Sequence, residues 1–195
     1  MFDDIFDGLM LGDGGLQKQA VSARYVHSCK EKDYLEWLKI SLSTKDIPIP
    51  TKIYEKDEKR GKYYQIYSKT HPYLTNQHNR WYPDGKKQVP KDLELTPFSV
   101  LHWYIGDGGL DSDKGYLRQI SISAHSFSFE ERQFLVCKLN ALGFKSSNRK
   151  NGLICIKKSS VSDFLDWIGL PPVDSYLYKW DVSKYTSKQT KYKLS

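Results

Sequence analysis

The chain has 195 residues, room for one domain or two small ones. Thirty basic side chains against 23 acidic ones give a formal charge of +7, which favours a polyanionic partner. Cys29, Cys137 and Cys155 form no C-x-x-C pair, which argues against a cysteine zinc site or a disulfide framework. No apolar run approaches the roughly 18 residues of a membrane span. The scattered cysteines suit a reducing interior, so an intracellular setting is expected, and the acidic start, Met1 to Asp7, argues against a signal or transit peptide.

Taken in order, the chain repeats itself once. FDGLMLGDGGL at Phe6–Leu16 predicts a helix from Phe6 to Gly14, ended by the glycine pair Gly14-Gly15. Next, VHSCKEKDYLEWLKISL leads from His27 into a helix whose face carries Leu35, Leu38 and Leu42. KIYEKDEKRGKYYQIYSK reads as a hairpin turning near Arg60-Gly61. A helix over Pro72–Trp81 closes the first half, and Lys91–Pro97 reads as a linker. The second half opens with LHWYIGDGGL, which puts Asp107 opposite Asp13, 94 positions later. AHSFSFEERQFLVCKLNAL follows, setting His125 opposite His27 and Leu135, Leu139 and Leu142 on one helical face. A hairpin turns at Asn151-Gly152. A last helix from Val161 carries Val161, Phe164, Leu165 and Ile168, with Ser160 and Asp163 as its expected cap.

The repeated GDGG element carries the chemistry. Gly8 and Gly12 share one helical face, where glycine costs about 1 kcal/mol unless another backbone approaches closely. The second copy has Gly106 there, with His102 in the place of Gly8. Two such helices are expected to pack on each other about a pseudo-twofold axis. Asp13 and Asp107 then lie together at helix C-termini, before glycines able to adopt the left-handed conformation. Helix C-termini are partly negative, so two carboxylates there call for a cation. Their hard oxygens suit Mg²⁺. Other readings fail: a calcium loop from Asp107 would need Glu where Arg118 stands, and no phosphate-cradling glycine motif is present. His78-Asn79 lacks the partners of an HNH nuclease. His27 and His125 are read as backbone-bonded corner residues.

FDGLMLGDGG and VLHWYIGDGG resemble the two LAGLIDADG motifs of monomeric, double-motif homing endonucleases. LTPFSVLHWYIGDGGL and NRWYPDGKKQVPKDL are similar to its intron-encoded branch. The resemblance implies an α+β fold of two pseudo-twofold related αββαββα halves, at 1–90 and 98–195, joined by a linker at 91–97. Asp13 and Asp107, with the adjoining Gly12 and Gly106, match the metal site, and Lys87 and Lys179 match its basic residues. Lys86 is the alternative to Lys87. The motif's earlier acidic position holds Leu11 and Ile105 instead.

The implied activity is staggered cleavage of both strands of a duplex site of roughly 20 base pairs. It would use Mg²⁺, with Mn²⁺ or Ca²⁺ able to replace it in binding. Each half would present a curved antiparallel sheet to double-stranded DNA. Gln19, Arg24, Lys52, Tyr54, Lys56, Tyr63, Gln65 and Tyr67 suit that face in the first half. Tyr116, Arg118, Ser121, Ser123, Ser146 and Asn148 are their counterparts in the second. The alternatives are an intron RNA-splicing maturase acting on its own intron RNA, or a catalytically silent DNA-binding protein.

Overall fold

The computed structural model describes residues 1–49, 52–58 and 61–186, so Arg60 of the expected turn lies outside them. Two runs of the same element order make up the fold. The first is α1 (Phe2–Leu11), β1 (Gly14–Gln19), β2 (Ser22–Cys29), α2 (Lys32–Ser43), β3 (Tyr54–Glu58), β4 (Gly61–Tyr67) and α3 (Pro72–Trp81). The second is α4 (Pro97–Asp107), β5 (Gly108–Asp113), β6 (Tyr116–Ser123), α5 (Phe129–Ala141), β7 (Ser146–Asn148), β8 (Leu153–Lys157) and α6 (Val161–Ile168). A 3₁₀ segment, Asp174–Lys179, and the short α7 (Ser183–Thr186) follow. Each run builds one four-stranded antiparallel sheet, ordered β1-β2-β4-β3 and β5-β6-β8-β7. The architecture is therefore two pseudo-twofold related αββαββα halves. No helix among the described residues is long and apolar enough to cross a membrane.

Helix α1 buries Phe6, Leu9 and Met10 at helical spacing, and Asp3 and Asp4 in its first turn complement the helix dipole. It packs on α4 through backbone proximity. A Cβ added to Gly8 would overlap the Ser99 carbonyl group, and one on Gly12 would sit 3.6 Å from the Cα of Gly106. His102 does not open this contact. It is buried sideways against α2, where Tyr34 Oη lies 2.7 Å from its Nδ1 and Trp37 stacks at 5.0 Å.

Several expectations are corrected. Helix α1 ends at Leu11 rather than Gly14, and Gly14 and Gly15 begin β1. Neither motif uses a left-handed glycine: Gly12 has φ −97° and Gly108 has φ −92°. The glycines are required by space instead. A Cβ on Gly14 would lie 2.6 Å from the Leu9 carbonyl oxygen and 2.7 Å from Tyr25 Oη, and one on Gly108 would overlap the Tyr104 ring.

Helix α4 begins inside the segment read as a linker. Thr96 Oγ1 accepts from the Ser99 amide at 3.2 Å while Ser99 Oγ accepts from the Thr96 amide at 2.9 Å, and Pro97 occupies the first turn. Leu93 and Leu95 are buried, so this stretch is part of the core. Ser160 does not cap α6 with its side chain. A 3₁₀ turn, Lys158–Ser160, runs straight into that helix, and Ser160 Oγ accepts from the Lys145 amide at 3.1 Å.

His27 and His125 are not equivalent. Gly14 pairs with His27 and Gly108 with Ile122, so Ile122 holds the place of His27. His27 is buried within β2, its Nδ1 2.9 Å from Tyr25 Oη, a side-chain partner rather than the backbone one expected. His125 stands in the turn after β6, against Gly152.

Candidate active site and nucleic-acid interface

Because α1 and α4 end side by side, Asp13 and Asp107 meet where the two halves join. A Cβ on Gly106 would lie 3.2 Å from the Asp13 amide nitrogen and 3.4 Å from its carboxylate. A side chain at Gly106 would press on Asp13 and ask it to give by a few tenths of an ångström. Asp13 is open to solvent on one side yet surrounded by protein on the others. Burial raises its pKa, with Lys179 and Lys87 pulling the other way. Asp107 is pushed up to about 7 by burial and then by the charge of Asp13.

Two lysines stand by the carboxylate pair, each fixed by backbone carbonyls of one motif and each drawn most strongly to the carboxylate of the other. Lys87 Nζ donates to Gly12 O at 3.2 Å and Gly14 O at 2.8 Å, on either side of Asp13. Lys179 Nζ donates to Ile105 O at 2.5 Å, Gly108 O at 2.8 Å and Tyr104 O at 3.4 Å, around Asp107. Burial lowers both ammonium pKa values to about 8, against the pull of the two carboxylates. Lys87 is delivered by the turn after α3, which Gln88 N→Trp81 O at 2.8 Å holds closed. Lys179 is delivered by the 3₁₀ segment, tied down by Tyr104 Oη donating to its carbonyl at 2.7 Å. Lys86 remains exposed. An open cleft of about 480 Å³ brings Asp13, Ile105, Gly106 and Lys179 together with Ser28, Tyr63 and Tyr176.

The donor set fits a hard divalent cation. Burial disfavours ionisation of both carboxylates, and the charge of Asp13 disfavours that of Asp107 further; a cation between them would offset that cost. Among the described residues no group of three or more His, Cys, Asp or Glu converges. Water and substrate oxygens would have to complete the shell, as is common for Mg²⁺. Gly12 O already accepts from Lys87, which leaves the Gly106 carbonyl the freer of the two backbone oxygens in the implied metal set.

Strand register sorts the expected DNA-facing residues. Alternation buries Ala23, Tyr25, His27 and Cys29 of β2 and leaves Arg24 and Ser28 on the opposite, open face. The pairs Gln17↔Arg24, Ser28↔Gln65, Tyr54↔Gln65 and Lys56↔Tyr63 place Tyr54, Lys56, Tyr63, Gln65 and Tyr67 on that face too. Gln19 lies there beside Ser22. Lys52 precedes β3, its Nζ 4.9 Å from the Tyr54 ring centre. Gln19, Arg24, Tyr54, Lys56 and Tyr67 line one open groove.

In the second sheet Ser121 and Ser123 share the open face, and Tyr116 pairs with Asp113 at its far end. A bulge between Asp111 and Ser112 makes Arg118 the extra residue, its Nη1 3.0 Å from Asp113 Oδ2. Ser146 and Asn148 are corrected. They pair with the core residues Ile156 and Ile154 and turn toward α5. Ser146 Oγ donates to Val136 O at 3.3 Å, and Asn148 Nδ2 donates to Phe129 O at 3.1 Å. Ser147 shares the face of Ser121 instead, opposite the buried Cys155, but its Oγ is itself buried there. Gln17, Ser28, Gln119 and Lys157 were missed. Gln17 was legible, because it shares the two-residue period of Gln19. Gln119 was not, because the bulge resets that period.

The model of the LAGLIDADG DNA endonuclease family matches residues 4–164. The chain belongs to that family. Among curated proteins it is 29% identical over 141 residues to the uncharacterized protein MJ1098 of Methanocaldococcus jannaschii, covering 70% of this chain and 54% of that protein. It is also 29% identical over 86 residues to the cytochrome b mRNA maturase bI2 of Debaryomyces hansenii, covering 43% of this chain and 31% of the maturase. The chain thus spans about half of the first relative and a third of the second.

Among solved structures, the homing endonuclease I-WcaI bound to its DNA recognition sequence superposes with a TM-score of 0.76 at 19% identity. That match covers 91% of this chain and 84% of I-WcaI. I-DmoI, solved with its target DNA in the presence of manganese, gives 0.55 at 16% identity, over 87% and 97% of the two chains. The N-terminal LAGLIDADG domain of DUF199/WhiA gives 0.59 at 12%, over 91% and 86%. Family and fold thus agree: the chain is a LAGLIDADG protein with the fold of the solved homing endonucleases.

Proposed function

We propose that this LAGLIDADG protein is a site-specific endonuclease that acts as a monomer and cuts both strands of a long duplex target. One observation carries the reading: two carboxylates meet at the paired helix ends, beside two lysines anchored on neighbouring carbonyls. Such an arrangement is costly in a protein that only binds, because burial disfavours both charges and Asp13 disfavours that of Asp107 further. A phosphodiester backbone and its counterions would meet complementary groups there.

Asp13 and Asp107, with the Gly106 carbonyl, would hold Mg²⁺, which neutralises phosphate charge and acidifies water when bound. Lys87 and Lys179 would sit beside the two scissile phosphates. Their ammonium groups would stabilise negative charge gathering on the phosphoryl oxygens, each serving one strand. The open faces of the two sheets would follow the major groove on either side, spanning roughly 20 base pairs.

The test is incubation with a randomised duplex library in Mg²⁺ or in EDTA, followed by sequencing of the cut ends. Cuts with a constant stagger in Mg²⁺ and none in EDTA are expected. Retention of a duplex without cutting in Mg²⁺ would leave a DNA-binding protein and refute the nuclease. The match to the yeast maturase favours a second reading, action on the protein's own intron RNA. Accelerated splicing of such an intron, with no duplex cleavage, would select it.

A further inference from the structure

The two sheets carry chemically opposite groups at one pseudo-symmetric position of the open face. Counting three residues outward from Gly14↔His27 reaches Gln17↔Arg24. The same count from Gly108↔Ile122 reaches Asp111↔Gln119. Both are hydrogen-bonded cross-strand pairs, and both bonds dictate which atoms remain for a ligand.

In the first pair, Arg24 donates from Nε at 3.1 Å and Nη2 at 2.9 Å to Gln17 Oε1. That uses one edge of the guanidinium and leaves the fork at its end. The guanidinium also lies over the Tyr67 ring, 4.8 Å from its centre. Tyr67 is in turn fixed by donating to Gln65 Oε1 at 2.6 Å, and Gln65 by donating to Ser28 Oγ at 2.8 Å. With its oxygen turned to Arg24, Gln17 offers only its amide N–H₂. This pair presents donors alone.

In the second pair, Gln119 Nε2 donates to Asp111 Oδ2 at 2.9 Å and to Ser121 Oγ at 3.2 Å. Only nitrogen can donate to a carboxylate, so the amide orientation is fixed. What remains is Gln119 Oε1 and the second oxygen of Asp111. This pair presents acceptors.

We infer that Gln17–Arg24 and Asp111–Gln119 are specificity-determining pairs of opposite polarity, the first selecting guanine and the second cytosine or adenine at the base pairs they face. The inference rests on the DNA-binding part of the proposed function. In the major groove guanine offers two acceptors, O6 and N7, that match a guanidinium fork. Cytosine N4 and adenine N6 are the donors that an acceptor pair would select. Rigid buttressing of Arg24 reduces the entropy lost on binding, so its preference should be the sharper.

The experiment is selection of randomised duplexes in EDTA, with sequencing of the bound fraction, for the wild type and two double variants. The wild type should enrich guanine at one position of the first half-site. At the position related by the centre, the corresponding strand should carry cytosine or adenine. Gln17→Asp with Arg24→Gln should lower the guanine enrichment about tenfold in favour of cytosine or adenine, leaving other positions unchanged. The reciprocal variant, Asp111→Gln with Gln119→Arg, should gain guanine in the second half-site. All four side chains lie on the open face, and the two variants test the inference independently of each other. Bound duplexes whose consensus is the same in wild type and variants would overturn this inference alone. Failure to enrich any duplex would overturn it together with the proposed DNA target.

Discussion

Gly12 and Gly106 face each other across the α1–α4 contact, close enough that a Cβ on Gly106 would lie 3.4 Å from the Cα of Gly12. The same added carbon would press on Asp13, whereas one on Gly8 would strike the Ser99 backbone, far from either carboxylate along the helix. The helix contact thus has a structural end and a chemical end. Gly8→Ala should destabilise the fold by about 1–2 kcal/mol, since overlap with backbone forces the helices apart. Gly106→Ala should change stability by less, but should slow cleavage by displacing Asp13. Urea unfolding midpoints and cleavage rates on a selected duplex measure the two effects. Equal losses of both in each variant would contradict the division.

Two histidines set a dependence on acid. Burial pushes His27 and His102 down to about 3 from an ordinary value near 6.5, so both are neutral when folded. The unfolded chain takes up protons at these sites between pH 6.5 and 3 that the folded chain refuses. Stability is therefore full above about 6.5 and falls as pH drops through that window. Asp107, raised to about 7, works in the opposite sense, holding a proton in the folded state that the unfolded chain releases. Comparison with variants isolates the histidines. The wild type should lose more stability between pH 7 and 4.5 than His27→Phe does, by thermal unfolding across the range. Parallel curves would show that His27 carries no such linkage.

The lysines should divide by strand. Lys87 bonds the backbone on either side of Asp13 and Lys179 the backbone on either side of Asp107, in different halves. Removing one charge partner of a transition state costs about 3 kcal/mol, roughly a hundredfold in rate. Lys87→Met and Lys179→Met should each accumulate nicked plasmid before linear product, and end-labelling should place the nicks on opposite strands. Equal slowing of both strands in each variant would remove the strand-specific role and turn attention to Lys86.

Much of this was legible in the chain because it repeats. The doubled GDGG fixed Asp13 against Asp107, and the spacing of Val161, Phe164, Leu165 and Ile168 marked α6. Pro72–Trp81 was read with its observed bounds. What escaped were features set by tertiary contact. Gly14 and Gly108 answer to Tyr25 and Tyr104, which approach from other elements, and not to a backbone angle. The bulge at Asp111/Ser112 carries no glycine signal, so it hid Gln119 and shifted Ile122 into the place of His27. Ser146 and Asn148 sit in a strand of three residues, too short for alternation to show which face is buried.

Salt will report how the sheets are used. If the open faces track the backbone, several lysines and arginines release counterions on binding, at about 0.9 per phosphate. The log–log slope of affinity against salt should be about −4 or steeper. A nearly flat dependence would point to a small acidic ligand or a protein partner.

The central claim is that Asp13 and Asp107 exist for a cation at the phosphates and not for holding DNA. The direct measurement is cleavage and binding of one selected duplex by wild type, Asp13→Asn and Asp107→Asn in Mg²⁺. Thermal unfolding of each protein with and without the ion completes it. Each variant should bind within a few-fold of wild type, cut neither strand, and lose the Mg²⁺-dependent rise in unfolding temperature shown by the wild type. Cleavage at the normal rate by Asp13→Asn, with the Mg²⁺ stabilisation intact, would contradict the account.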